Sequence, residues 1–296
     1  MLKNQAMSAL PGRVGQIYVV SATLISGVVI LLIIVFLFLN SWDAISQVGG
    51  GLFTLEWHPP NGKYGILSML YGSVIVTVIS LVIAVPLGIF SAIFISEILL
   101  PKYKPFVKSL LEILAGIPSI IYGLIGIAFF SVWVRDFFAL QSGRTILTAG
   151  ILLSIMILPT IVTLTDDALR NVPVKYREAA RGLGLYNYEV IKSALLPIAK
   201  GDIIGAVLLA LGRALGETMA VMLVIGSIDK IPQPVFNFLA PGQTITSKLG
   251  REIAESAFGS LHFSSMIFMG LLLLVIVLVL TVIAQLYFKK EQRLYE

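Results

Sequence analysis

Cysteine is absent from this chain of 296 residues, and charged residues make up only 12% of it. Without cysteine, the chain can form neither a disulfide framework nor a thiolate metal site. The two histidines, His58 and His262, lie far apart in the sequence, and we expect them to be solvated or interfacial rather than metal ligands or catalytic bases. Since a soluble domain carries about 25% charged residues, this scarcity of charge indicates a membrane protein.

Apolar residues are abundant instead: 57% of the chain is hydrophobic, and its mean hydropathy is +0.96. A helix needs about 20 apolar residues to cross a hydrocarbon core of about 30 Å. The apolar stretches predict an all-α polytopic membrane protein with six transmembrane helices, at residues 17–39, 65–96, 113–134, 145–165, 203–228 and 264–288. Because its positive residues are concentrated in loops, the net charge of +5 does not indicate nucleic-acid binding.

The positive charges are distributed unevenly between these loops. If the N-terminus is cytoplasmic, most of the 21 Lys and Arg residues fall in inner segments, as the positive-inside rule requires. This distribution predicts that both termini and the long polar loop at residues 166–200 face the cytoplasm, where ATP is available. The chain contains no G-x-x-x-x-G-K-S/T sequence, so we do not expect it to bind ATP through a P-loop.

The loop at residues 166–200 is the longest charged segment of the chain. Pro173 suits a first helical turn, where its missing N–H costs nothing. Gly182 and Gly184 then favour a break, and Asn187 can cap a second short helix. Two short helices that meet at glycine, held outside the membrane, predict a docking site for another protein.

Arg213 and Glu217 are the only charged residues within the six predicted spans. Arg213 lies about 15 Å from the start of its predicted helix at 1.5 Å per residue, which places it near the middle of the membrane. A charge there costs about 2.5–3.5 kcal/mol on insertion scales, and such residues usually mark a transport path or a binding site. Glu217, four residues further on, is predicted to pair with Arg213 on the same helix face. A purely structural salt bridge is the alternative interpretation.

Small residues surround this predicted pair on two faces of the helix. Glycines recur at helical spacing and predict a stripe packed closely against another helix, comprising Gly201, Gly205, Gly212 and Gly216. The charged face carries alanines that we expect to leave room for a ligand, namely Ala206, Ala210 and Ala220. A guanidinium group matches the oxygens of phosphate and stays protonated in a low dielectric, so the favoured ligand is an oxyanion.

Within the polar loop, the spacing of Glu178-Ala179-Ala180, Gly184 and Leu196-Pro197 resembles the cytoplasmic coupling loop of ABC-importer permeases of the binding-protein-dependent type. The family usually has a larger aliphatic residue at the position of Ala194, which implies a shallower contact there. The resemblance implies that a separate ATP-binding subunit docks on this coupling loop (residues 166–200). The residues that it assigns to the contact are Glu178, Ala179, Ala180, Gly184, Leu196 and Pro197.

Two membrane segments narrow the resemblance. Residues 212–221 (GRALGETMAV) and residues 116–123 (GIPSIIYG) are similar to the corresponding segments of phosphate ABC-transporter permeases of the PstC type. The match covers about residues 65–288, which implies an importer transmembrane domain of that extent. Residues 1–64 would then form an N-terminal tail, an added first helix and an outer loop, and residues 289–296 would form a cytoplasmic tail.

The same resemblance implies the function and the partners. It assigns Arg213, Glu217, Thr218 and Ser119 to the substrate pathway. The charges themselves suggest the hypothesis that Arg213 is the phosphate contact and Glu217 its resting counter-ion. It implies a dimer of ATP-binding subunits that hold Mg-ATP, a second permease subunit in a heterodimer, and an extracytoplasmic phosphate-binding protein. The chain itself would carry no catalytic residue, metal or cofactor, and it would lie among lipids in a bacterial or archaeal cytoplasmic membrane.

Other functions remain open at this point. A membrane-embedded enzyme would need an intramembrane nucleophile and base, and the spans other than the fifth lack charge and histidine. A passive channel or structural anchor would leave the coupling loop without a purpose. Within transport, the alternatives are a permease for another oxyanion or an organic solute, and the sister phosphate permease, which shares the Arg and the Gly-Glu-Thr sequence.

Overall fold

The computed structural model describes residues 3–292 of the chain and, within them, the side chains of residues 15–284. The two short strands of this range, β1 (Trp57–His58) and β2 (Lys63–Tyr64), pair as an antiparallel hairpin. Helices make up most of the remainder. In chain order they are α1 (Lys3–Gln47), α2 (Leu67–Ile93), α3 (Lys104–Gly116), α4 (Ser119–Ile125), α5 (Val132–Phe137), α6 (Ile146–Arg170), α7 (Val174–Gly182), α8 (Asn187–Val190), α9 (Leu196–Gly216), α10 (Met219–Val224), α11 (Ile245–Glu252) and α12 (Leu261–Gln292).

Several of these helices are joined end to end by π-helical turns. One such turn, Phe94–Ile98, extends α2; another, Gly126–Ser131, joins α4 to α5; and a third, Ile191–Leu195, joins α8 to α9. Six helical stretches of the described residues are therefore long and apolar enough to cross a membrane: Gly15–Gln47, Leu67–Ile98, Ser119–Phe137, Ile146–Arg170, Asn187–Gly216 and Leu261–Ala284. The prediction of an all-α polytopic protein with six transmembrane helices is confirmed.

Some helices extend beyond the apolar runs that predict them. The first span was expected at residues 17–39 and the last at 264–288, whereas α1 and α12 continue past those limits at both ends. The fourth was expected to end at residue 165, but α6 runs on to Arg170. The apolar residues of a helix indicate which part of it crosses the membrane. The backbone hydrogen bonds of the same helix can continue into the aqueous phase.

The third span starts later than the sequence predicts, because the chain breaks at Ile117 and Pro118. Both residues are extended, with ψ of 127° and 135°. The residue before a proline avoids the helical region, which explains a break at this position. The segment before it, which lies mostly between the predicted second and third spans, forms the amphipathic helix α3, whose Val107 and Leu111 pack against the end of α2 and against α6.

The fifth span differs at both of its ends. The prediction of a separate second short helix, followed by a span from residue 203 to 228, is wrong, because the helix is continuous from Asn187 to Gly216. The π turn Ile191–Leu195 directly precedes Pro197, whose missing N–H it accommodates. At the other end the helix stops at Gly216, and Glu217 leaves it with an extended ψ of 126°.

The core is built around α6, the most deeply buried of the six spans. Leu152, Met156, Ile157 and Ile161 of α6 are all at most 2% exposed, and they pack between α2 and α9. By contrast, α1 exposes large apolar side chains along its length and packs mainly on α12. The helices α2, α6 and α9 therefore form the closely packed core of the protein, and this core positions the residues of the candidate site.

Candidate functional site

Two helix breaks lie at the same level of the bundle. A Cβ built on Gly123 of α4 would lie 3.1 Å from Ala220 Cα of α10, and one built on Gly126 would contact Val224. The two residues of each contact are separated by nearly the same number of positions in the sequence, so α4 and α10 run parallel and in register. The break before α4, at Ser119, is therefore level with the break that follows Gly216.

The break before α4 is stabilised by the side chain of Tyr122. Its hydroxyl donates a hydrogen bond to the carbonyl oxygen of Leu114, 2.8 Å away across the break. This bond satisfies one of the carbonyl groups left free at the end of α3. Ser119 is half-buried at the start of α4. By the register of α4 and α10 it lies at the same level as Glu217 and Thr218.

Arg213 lies in the last turn of α9 and is exposed. Its Nη1 donates a hydrogen bond to the hydroxyl of Thr160 on α6, at 3.2 Å. The predicted pair with Glu217 is not formed: among the described side chains, the ion pairs within 4.0 Å do not include one between these two residues. Pairing at a spacing of four residues requires a continuous helix, and α9 ends between them.

Glu217 instead stabilises the start of α10. One of its carboxylate oxygens, Oε1, accepts the backbone N–H of Ala220 at 3.3 Å, and its carbonyl accepts the hydroxyl of Thr246 at 2.7 Å. Thr218 donates its own hydroxyl to the carbonyl of Gly216 at 3.2 Å. A carboxylate at the N-terminal end of a helix is favoured there by the helix dipole.

A small cavity lies beside Glu217. Its volume is about 10 Å³, roughly one water molecule, and its lining combines apolar side chains with four hydroxyl groups, those of Ser73 and Thr77 of α2 and of Thr244 and Thr246 at the start of α11. Sequence reasoning missed these residues. The available signal was the run Gln243-Thr244-Ile245-Thr246-Ser247, in which Thr244 and Ser247 form a capping box that starts a helix.

The two small-residue faces of α9 have the opposite roles to those predicted. The alanines expected to leave room for a ligand are buried, since Ala206, Ala210 and Ala220 are at most 2% exposed. The glycines expected to pack closely are open: a Cβ built on Gly205, Gly212 or Gly216 would meet no described atom within 4 Å. The reason is that α6 packs against the alanine side of α9, whereas the Cβ positions of the glycine side meet no residue that the structure describes.

The coupling loop projects from the end of the bundle as two helical segments. Gly184 has a φ of +80° and turns the chain between α7 and α8, as the sequence predicts. Glu178, Ala179, Gly184 and Pro197 are exposed. Ala180 and Leu196 face inwards instead, within a core cluster that includes Leu169 and Val190.

Large apolar and aromatic side chains surround the exposed coupling residues. Leu183 is 82% exposed, and Tyr186 and Tyr188 stack on each other with a centroid distance of 6.3 Å. Val174 and Tyr176 of α7 are exposed as well. An apolar patch of this kind, next to charged residues and outside the membrane spans, is typical of a protein–protein contact.

Comparison with known proteins agrees with this arrangement. Residues 84–293 match the family model described as "Binding-protein-dependent transport system inner membrane component". A phosphate transport system permease protein PstC from Mesorhizobium japonicum is 38% identical over 269 residues, which cover 84% of this chain and 81% of that protein. PstC from Haemophilus influenzae is 34% identical and covers 88% of each chain. A probable ABC transporter permease protein, YqgH of Bacillus subtilis, is 36% identical over 76% of this chain and 72% of its own length.

A solved structure supports the fold. The MetNI methionine ABC transporter, in an inward-facing conformation, contains a chain that superposes with a TM-score of 0.56 at 17% sequence identity. The superposition covers 76% of this chain and 94% of that one. At this identity the likeness concerns the backbone arrangement alone.

Proposed function

The chain belongs to the family of binding-protein-dependent transport system inner membrane components, and we propose that it forms half of the translocation pathway of an ATP-driven phosphate importer. It is a multi-pass inner membrane protein and a permease subunit of an ABC importer, and such subunits are not themselves enzymes. The proposal concerns its substrate, its coupling to ATP and its partner subunits.

The environment of Arg213 is the observation that carries the proposal. Its guanidinium group has five N–H donors, and the hydrogen bond described for it goes to the neutral hydroxyl of Thr160. The remaining donors are available to an anion, because no carboxylate among the described side chains is paired with Arg213. A planar guanidinium can bind two phosphate oxygens at once and remains charged in a low dielectric.

Glu217 has a different part in this proposal from the one predicted by the sequence. It caps α10 and lies beside the small cavity, so it is not the resting counter-ion of Arg213 within one helix. Its negative charge near the path opposes tight capture of an anion. A pathway needs such weak binding, because a site that holds its ion too firmly does not conduct. Ser119 and Thr218 supply hydroxyl groups at the same level.

The partners follow from the two exposed surfaces. A dimer of ATP-binding subunits would dock through the apolar patch around Glu178, Ala179 and Gly184. These subunits, and not this chain, would bind Mg-ATP. The open glycine face of α9 would meet a second permease subunit, which completes the pathway. The substrate would come from an extracytoplasmic phosphate-binding protein. Phosphate itself enters the proposal through the named function of the PstC relatives.

Substitution of Arg213 tests the substrate assignment. In cells that express the complete transporter, Arg213→Gln should lower radiolabelled phosphate uptake by about tenfold or more, because a hydrogen bond to a charged group contributes about 1.5–3 kcal/mol. Arg213→Lys should also impair uptake, since an ammonium group keeps the charge but loses the planar fork. The amount of protein in the membrane should not change.

The matched control is Arg251→Gln, which removes an exposed arginine from α11 and should leave uptake intact. Near-normal uptake by Arg213→Gln would exclude Arg213 as the phosphate contact. Uptake of sulfate or molybdate, and not of phosphate, by the unsubstituted transporter would identify a different oxyanion as the substrate.

A further inference from the structure

Arg177 of α7 connects the coupling loop to two membrane helices at once. Its Nη1 pairs with the carboxylate of Glu97, in the π turn that extends α2. Its Nη2 donates a hydrogen bond to the carbonyl oxygen of Leu169, in the last turn of α6, at 2.8 Å. The side chains of Arg177 and Glu97 are 20% and 12% exposed, so the pair is largely shielded from solvent.

A second buried carboxylate fixes the end of α6 from the other side. Asp166 has a side chain that is 2% exposed and lies between Lys108 Nζ of α3, at 2.8 Å, and Arg170 Nε of its own helix, at 3.0 Å. The same lysine lies 3.5 Å from Asp167. The end of α6 is thus held to α3 by one set of charges and to α7 by Arg177.

The helices that Arg177 holds are also the ones that contact the candidate pathway. Thr160, the hydrogen-bond partner of Arg213, lies on α6. Ser73 and Thr77, which line the cavity beside Glu217, lie on α2. A displacement of α7 would therefore reach both helices that surround Arg213 and Glu217 through this guanidinium group, in addition to the apolar cluster that contains Ala180 and Leu169.

Arginine is suited to this connection for a geometric reason. Its planar fork donates in two directions simultaneously, whereas an ammonium group is a point donor on a flexible stem. An exposed ion pair contributes little to stability. A shielded pair matters in another way, because loss of one partner leaves an uncompensated charge and also frees the two elements that it joined.

We propose that Glu97 and Arg177 are positioning residues that transmit the movement of the coupling loop to α2 and α6. This inference rests on the proposed function, in which an ATP-binding subunit moves the loop. Neither residue contacts substrate or nucleotide. Their effect is to make α7, α2 and α6 move together, so that closure of the ATP-binding subunits changes the surroundings of Arg213.

The test measures coupling in the purified complete transporter, reconstituted in proteoliposomes. Arg177→Gln and Glu97→Gln should each lower the amount of solute transported per ATP hydrolysed by about threefold to tenfold, the range expected for coupling residues away from the binding sites. Basal ATP hydrolysis and complex assembly should be retained. The exchanged pair, Glu97→Arg with Arg177→Glu, should recover part of the loss, because the ion pair is restored although the bond to Leu169 is not.

Lys102→Gln is the matched control, since it removes an exposed cation from the turn before α3, outside the coupling loop, and should leave the ratio unchanged. If Arg177→Gln reduces assembly, Arg177→Lys replaces it and should show the same loss of coupling. An unchanged transport ratio in the single variants would overturn the proposal. So would a loss of coupling that merely follows a loss of assembled complex.

The proposed function can fail independently of this inference. If the unsubstituted transporter moves no phosphate, the substrate assignment is wrong. The transport ratio can then be measured with the solute that the transporter does carry, and a reduced ratio in the Arg177 and Glu97 variants would still support the positioning role.

Discussion

Arg213 and Gly184 show how single residues acquire their roles from backbone geometry. Arg213 is in the last turn of α9, where the negative end of the helix dipole favours a cation. Among the described side chains its guanidinium has no carboxylate partner, and it does not reach Glu217 because the helix ends before that residue. Gly184 has a positive φ, a conformation that residues with a Cβ rarely adopt. The chemistry of both positions is thus determined by where a helix stops.

Substitution of Gly184 by valine should uncouple ATP hydrolysis from transport. A β-branched residue at a φ of +80° costs about 1–3 kcal/mol of backbone strain, which would shift α7 relative to α8 and distort the docking patch. We expect the variant to reach the membrane and to lose most substrate-stimulated ATP hydrolysis.

Gly182→Val provides the control for this change. Neither glycine has any described atom within 4 Å of a built Cβ, but Gly182 has an ordinary helical conformation. The expected difference between the two variants therefore comes from backbone strain alone. Normal uptake by Gly184→Val, measured beside Gly182→Val, would contradict the assignment of this turn to coupling.

At the scale of the element, α9 has two faces of small residues with different surroundings. Alanines along one face are buried against α6. A Cβ built on the glycines of the other face would meet no described atom within 4 Å. Small residues allow close approach in either case. Packing against α6 therefore determines the orientation of α9, and the glycine face is left for contact outside this chain.

Substitution by a larger residue on each face of α9 in turn distinguishes the buried face from the open one. Ala210→Leu should destabilise the subunit by about 1–3 kcal/mol, the usual cost of overpacking, because Ala210 is 0% exposed. Gly212→Leu should leave the subunit stable, since its Cβ would meet open space. The comparison is made by thermal unfolding of the purified protein in detergent. Equal destabilisation by both changes would contradict the packing arrangement described for α9.

The elements differ in how much of their structure the sequence predicts. Six spans could be counted from apolar runs, because the membrane requires such lengths. The turn between α7 and α8 could be predicted from Gly184. The break at Glu217 was missed, because Gly216 was assigned to a packing stripe, and the hydrogen bond from Thr246 that holds the carbonyl of Glu217 comes from a distant segment.

The sequence predicted which charged residue belongs to the candidate site, but it did not predict how the residues of the site are arranged. Arg213 stood out because a charge within a span is costly. Its contact with Thr160 and the hydroxyl groups of Ser73 and Thr77 depend on how α2 and α6 pack, which a pattern of polar residues does not reveal. The Arg177–Glu97 pair joins positions 80 residues apart, and both residues read as ordinary loop charges in the sequence.

At the scale of the whole molecule, the fold separates a closely packed centre from two surfaces that no described part of the chain covers. The centre comprises α2, α6 and α9, and the surfaces are the glycine face of α9 and the patch around Leu183. An even number of spans predicts that the two termini lie on one side of the membrane. Their cytoplasmic location stays a prediction from the distribution of Lys and Arg.

ATP-driven phosphate uptake by the reconstituted transporter tests the central claim most directly. The chain is assembled in proteoliposomes with its ATP-binding subunits, its second permease subunit and the phosphate-binding protein, and radiolabelled phosphate is supplied on the binding-protein side. We predict uptake that requires Mg-ATP on the coupling-loop side and is not reduced by excess sulfate. Uptake without ATP, or ATP-driven uptake of another solute in place of phosphate, would contradict the account.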